Sequence, residues 1–170
     1  MTQVVVGIDN GTTGALAVLV VCSERTSVDV FPTPTIATKS GKCRRTVLDK
    51  AGMRELLYSC GSDAHVFIEH AQNMPKQGAS SAFNYGTGYG LWRGICVGLN
   101  LQYTKVSPRV WQRVMLQGTP GSDTKARSII RVKELFRGVS LLPTDRSRKD
   151  SDGMADALLI AEYGRRELGL

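Results

Sequence analysis

Two β-branched apolar runs open the chain, Gln3–Asp9 and Gly14–Cys22, and the turn-forming Asn10-Gly11-Thr12-Thr13 between them has hairpin spacing. Ser27–Phe31 predicts a third strand, ended by Pro32 and Pro34. Thr38–Arg45 is polar, basic and glycine-containing, and reads as a mobile loop. Asp49 is placed to cap a helix running through Leu57, with Met53, Leu56 and Leu57 at helical spacing. Val66–Glu69 is a short buried strand that ends on a carboxylate, and His70–Gly78 is a loop containing Pro75.

A long helix follows, capped by Ser80 or Ser81 and reaching Leu99. Its glycines (Gly86, Gly88, Gly90, Gly94 and Gly98) each cost about 1 kcal/mol against alanine, so they imply close approach to a helix or a sheet, as at a subunit interface. Gln102–Val106 is a strand, and Ser107-Pro108 is an N-cap followed by proline in the first turn. Thr124–Phe136 predicts a basic amphipathic helix and Ser151–Leu168 the last helix. The order β-β-β-α-β-α-β-α-α-α predicts one α/β domain over residues 1–170. Three antiparallel strands are extended by parallel additions into a mixed five-stranded sheet flanked by helices.

A length of 170 residues fits one domain with a core of its own. The hydrophobic share of 42% is that of a globular protein, and apolar runs such as Ala15–Cys22 are too short to span a membrane. Strand-like sequence from Gln3 leaves no secretory leader to expect. Cys22, Cys43, Cys60 and Cys96 form no CxxC pair, and His65 and His70 are the only histidines. That argues against zinc and for reduced thiols in an intracellular compartment.

Charge changes the picture. The net charge is +7, and eleven basic residues against four acidic ones between Lys105 and Asp150 hold that whole excess. A second basic cluster is Lys39, Lys42, Arg44 and Arg45. Such segments attract polyanions, nucleic acid above all, although a solvated surface has the same composition.

Four acids stand out against this background. Asp9 and Glu69 each end an apolar strand run, and Asp152 and Asp156, four apart, share one face of the last helix. Asp9 also suits a turn, and Asp152 suits a helix N-terminus. Asp156 inside the apolar stretch Ala155–Ala161, and Glu69 after Val66-Phe67-Ile68, are harder to explain structurally. Clustered carboxylates repel unless a cation lies between them, and oxygen ligands select a hard divalent ion. Two Mg²⁺ or Mn²⁺ ions about 3.5–4 Å apart would activate water and stabilise the leaving oxygen of a phosphodiester.

These residues bring a resemblance. Gly7-Ile8-Asp9-Asn10-Gly11, Gly14-Ala15-Leu16-Ala17, Ile68-Glu69 and Asp152-Gly153-Met154-Ala155-Asp156 through Ala161 resemble the RuvC-type Holliday-junction resolvases, most of all the chloroplast branch and its phage and bacterial relatives. The Met74–Phe83 segment, Tyr89-Gly90-Leu91-Trp92, Pro108–Trp111 and Lys125 placed ahead of Leu135-Phe136 are similar to that branch as well. The resemblance implies an RNase H-like fold. It implies a homodimer that nicks four-way DNA junctions symmetrically, with Asp9, Glu69, Asp152 and Asp156 holding two Mg²⁺ (Mn²⁺ substituting) and Lys125 near the scissile phosphate. Two positions depart from the chloroplast pattern, which often has histidine and glutamate where this chain has Asp152 and Asp156. The branch's tandem tryptophans are missing too, so no cleavage-sequence preference carries over.

Lys42, Arg44, Arg45, Lys76, Gln77 and Ser80 are expected DNA contacts. Phe83 or Tyr85 is placed to stack on an unpaired base, although both also fit a packed helix face, and Trp92 and Trp111 read as core. Three other readings stand beside this one. The Asp9–Gly14 loop is similar to the phosphate loop of actin-like ATP-dependent kinases, which need a second domain. An RNA-processing nuclease and a non-catalytic DNA-binding module share the frame. The expected setting is intracellular and nucleoid-associated, in a bacterial or phage-infected cytoplasm, or in a chloroplast if a transit segment has been removed.

Overall fold

In the computed structural model, which describes residues 2–40, 43–71 and 78–170, five strands open the chain: β1 (Gln3–Asp9), β2 (Ala15–Val21), β3 (Thr26–Pro32), β4 (Thr35–Ser40) and β5 (Cys43–Leu48). They are followed by α1 (Lys50–Tyr58), β6 (His65–Glu69), α2 (Ala79–Gly98), β7 (Gln102–Val106), α3 (Pro108–Met115), α4 (Thr124–Leu135) and α5 (Asp152–Glu167). The main sheet has the order β3-β2-β1-β6-β7. The β1–β2 and β2–β3 pairs are antiparallel, and β1–β6 and β6–β7 are parallel, as the pattern predicts.

One expectation is overturned. Within the segment expected to be a mobile loop, Thr38–Arg45, the described residues 38–40 and 43–45 belong to an antiparallel ribbon in which β4 pairs with β5, Thr38 opposite Arg45 and Lys39 opposite Arg44. Threonine and β-branched residues (Thr35, Ile36, Thr38, Thr46, Val47) supply strand preference. The ribbon is a two-stranded sheet apart from the main one, so the predicted element order lacks two strands.

Alternation along β1 sends Val5 to one face of the sheet and Val6 and Ile8 to the other. On the first face α3, α4 and α5 pack through Trp111, Met115, Val132 and Leu158. On the second, α1 and α2 pack through Met53, Leu57, Trp92 and Cys96. Both tryptophans are fully buried, as expected. Every residue of α5 from Gly153 to Gly164 is buried except Asp156, which is only half-buried. No helix among the described residues is long and apolar enough to cross a membrane, and Cys22, Cys60 and Cys96 are free thiols.

Helix starts follow sequence closely. Asp49 accepts from Gly52 N at 3.1 Å, Asp123 from Ala126 N at 3.0 Å and Ser151 from Met154 N at 3.3 Å. Ser107 occupies the N-cap of α3 without a side-chain capping bond, and α2 begins at Gly78, also without one, rather than at Ser80 or Ser81. Its glycines also differ from expectation. A Cβ on Gly88 would lie 2.2 Å from Asn10 O, whereas Gly86, Gly90, Gly94 and Gly98 face open space. Of these α2 glycines only Gly88 is required for packing among the described residues.

Candidate active site

Because β1 and β6 are adjacent and parallel, with Ile8 opposite Ile68, their carboxyl ends leave the sheet side by side and place Asp9 and Glu69 together. This is the edge of an open α/β sheet where ligands ordinarily bind. The buried Asn10 ties the two strand ends by donating its Nδ2–H to Glu69 O. The amino end of α5 closes on the same edge. A Cβ on Gly153 would sit 2.3 Å from Thr13 O and 3.1 Å from Asp9 Oδ2, so only glycine lets Asp152 and Asp156 come this near to Asp9. A cavity of about 800 Å³ opens here, lined by Glu69, Asp156, Thr12, Thr13, Tyr85 and Arg109 among others.

Each carboxylate has a different environment. Glu69 is held at both oxygens: Trp111 Nε1–H donates to Oε1 at 2.9 Å and Tyr85 O–H donates to Oε2 at 2.7 Å. Asp152 pairs with Lys125 Nζ at 2.5 Å. Burial would raise Asp152, but the Lys125 ammonium outweighs it and holds the acid below the ordinary aspartate value. Asp9 is pushed up to about 7, first by burial and then by the Glu69 charge, against the Gly11 N–H at 3.4 Å. Burial pushes Asp156 up to about 8, with repulsion from Asp9, Glu69 and Asp152 added, while Ser128 on α4 favours its charge. The Tyr85 phenol is raised well above its ordinary value by burial and by the Glu69 carboxylate it serves.

Burial and repulsion from neighbouring carboxylates thus work against the negative charges of Asp9 and Asp156, while the one ammonium, Lys125, is paired with Asp152. Asp156 Oδ1 is buried with no hydrogen-bond partner, an acceptor that a cation would satisfy. The donor set is all carboxylate oxygen, which suits a hard divalent ion rather than zinc or copper. Among the described residues no three side chains stand as a ready ligand set. Asp152 is turned onto Lys125, and Glu69 is engaged by two donors.

Lys125 is therefore at the site, beside Asp152. Arg44 and Arg45 are exposed on β5, and Ser80 and Phe83 are exposed on the first turns of α2. None of these four lines the cavity. Lys42, Lys76 and Gln77 lie outside the described residues. Phe83, with 73% of its surface exposed, is not the packed residue that its helical spacing allowed. Sequence reasoning missed Asn10, Arg109, Gln112 and the second role of Trp111. The signal available for Trp111 was Pro108-x-x-Trp111: proline fixes the start of α3 directly after β7, which puts Trp111 one turn in, beside the end of β6.

No known protein family matches the chain, and no curated protein does. Solved structures do match. Thermus thermophilus RuvC in complex with a Holliday-junction substrate superimposes with a TM-score of 0.57 at 17% identity, covering 98% of this chain and 96% of that one. A second Thermus thermophilus RuvC structure gives a TM-score of 0.55 at 18% identity, covering 98% and 97%. Sheet order, strand directions and flanking helices together show that this chain has a RuvC-like, RNase H-like fold.

Proposed function

We propose that this chain is a structure-selective DNA endonuclease that resolves four-way junctions by paired symmetric nicks. The observation that carries the reading is the clustering of Asp9, Glu69, Asp152 and Asp156, from three distant parts of the chain, at one sheet edge, where Glu69 and Asp156 line a cavity and burial with mutual repulsion disfavours the charges of Asp9 and Asp156. The fold match to a RuvC bound to a Holliday junction supports the substrate class, and the +7 charge supports a polyanionic partner. In this reading the chain is a relative of the chloroplast resolvases and their phage and bacterial counterparts, which the motif resemblance supports.

In this reading the four acids hold two Mg²⁺ ions, with Mn²⁺ able to substitute. When bound, such ions supply charge stabilisation at the phosphoryl oxygens and a water acidic enough to be a nucleophile near neutral pH. The residues of the chain do the rest. Trp111 and Tyr85 fix the Glu69 carboxylate, the Gly11 N–H orients Asp9, and the Lys125 ammonium, beside Asp152, would stabilise the developing charge of the phosphodiester. Hydrolysis breaks one P–O bond per strand and leaves a ligatable nick.

Paired nicks on opposing strands require two sites related by the near two-fold symmetry of the junction, hence a homodimer of one-domain subunits. The proposed setting is intracellular, at the nucleoid or its organellar or phage counterpart. An immobile four-way junction and a linear duplex, each incubated with Mg²⁺ and with EDTA, test the proposal. Paired ligatable nicks in the junction alone, and only with Mg²⁺, are expected. Equal cutting of the duplex, or cutting of RNA in preference, would replace it with another nuclease on the same frame.

A further inference from the structure

Six cations lie on α3 and α4, and four of them already have protein partners. Lys125 pairs with Asp152 and Lys133 with Asp150. Arg127 donates through Nε to Thr119 O at 3.2 Å and through Nη2 to Leu116 O at 2.7 Å. Arg131 donates to Met115 O at 2.9 Å and pairs with Glu134. Arg127 and Arg131 thus satisfy carbonyls at the carboxyl end of α3 and lock that helix against α4. Trp111 locks it to β6 from the other side.

Arg109 and Arg113 are different. Both are exposed, and neither has an ion pair or a hydrogen bond among the described residues. They are four apart, so they stand on one face of a helix whose opposite face, Trp111 and Met115, is fully buried. That face borders a second cleft of about 730 Å³, lined also by Gln112, Gln117, Thr124 and Arg127 and by no acid. Arg109 and Gln112 line the carboxylate cavity as well, so the two clefts adjoin at α3.

We infer that Arg109 and Arg113 form a phosphate track that carries the DNA strand away from the carboxylate cavity along α3. The inference rests on the endonuclease reading for its ligand, DNA, but on separate residues for its site. Guanidinium groups one helical turn apart suit successive phosphates, since their Cβ atoms stand about 5–6 Å apart. A helix held to β6 through Trp111 and to α4 through the carbonyls at its carboxyl end keeps them there without ordering a loop.

The test is equilibrium binding of the intact protein to the immobile four-way junction in EDTA, where no strand is cut, over a range of salt concentration. R109A/R113A should weaken binding at least tenfold at about 0.1 M salt and lower the slope of log affinity against log salt by about two. R109K/R113K should keep the slope, and the melting temperature should not move in either variant. Wild-type affinity and slope in R109A/R113A, with wild-type protein still cutting junctions in Mg²⁺, overturn the track and leave the endonuclease reading intact. A lost slope in a protein that cuts no DNA at all upholds the track and overturns the endonuclease.

Discussion

Trp111 Nε1–H donates to Glu69 Oε1 at 2.9 Å, so the indole that anchors α3 in the core also fixes a carboxylate at the mouth of the cavity. Core stability and site geometry meet in one side chain. Trp111→Phe keeps most of the packing and removes the donor. Its Mn²⁺ affinity, measured by calorimetry, should fall about ten- to a hundredfold. Thermal unfolding should show a loss of about 1–3 kcal/mol from the smaller ring. Unchanged affinity would leave Trp111 a packing residue only.

Asp156 is a stability liability in the absence of a cation. Burial and three neighbouring carboxylates disfavour its charge, and Oδ1 has no partner. Asp156→Asn should therefore melt higher than the wild-type protein in EDTA and should lose the stabilisation that added Mg²⁺ gives the wild type. Differential scanning fluorimetry with and without Mg²⁺ reads both effects.

Lys125 and Asp152 are paired, yet their side chains are 72% and 41% exposed, so the pair adds little stability, about 0–1 kcal/mol. Lys125→Ala should leave the melting temperature within error. It should slow single-turnover cleavage far more than it weakens junction binding. Equal losses in rate and affinity would make Lys125 a simple phosphate anchor.

Gly153 has no room for a methyl group, with Thr13 O 2.3 Å and Asp9 Oδ2 3.1 Å from the position of a Cβ. Gly153→Ala should push α5 away from the β1–β2 turn and cost about 1–3 kcal/mol. Metal affinity should fall with it, because Asp152 and Asp156 ride on that helix. A variant of normal stability and affinity would show that the turn yields instead.

Glu162, nearly fully buried on α5, accepts from Arg165 at 2.7 Å and from Arg166 at 2.8 Å. Burial alone would raise it, but the two guanidinium groups hold it below the ordinary glutamate value. A lowered folded pKa means that this contribution is complete above about pH 4.5, the unfolded value, and is lost as pH falls through the folded one. Glu162→Gln should lower stability at pH 7 by about 1–3 kcal/mol and flatten the acid side of the stability curve, followed by urea unfolding between about pH 3 and 6.

How much of this was legible in the sequence varies by residue. Asp9 and Glu69 ended apolar runs and Asp156 interrupted one, and a carboxylate in such a place is conspicuous because burial opposes it. The β4–β5 ribbon was illegible for the opposite reason. Ile36 and Val47 stay exposed at 47% and 38%, and with no buried face there is no alternation to read. A core tryptophan looks the same in sequence whether or not its N–H has a partner, so the Trp111–Glu69 bond was hidden. Charge counting found the basic excess between Lys105 and Asp150. It had no means of separating Arg127 and Arg131, turned onto backbone carbonyls, from Arg109 and Arg113, turned to solvent.

Glu69→Gln puts the central claim to its most direct test, because it removes one negative charge from the cavity and leaves the basic surface untouched. Junction binding and strand cleavage are measured on the same preparation with Mg²⁺. The variant should bind the junction as well as the wild type or better and cut neither strand. Cleavage at the wild-type rate would mean that the four carboxylates are not where the phosphodiester is broken.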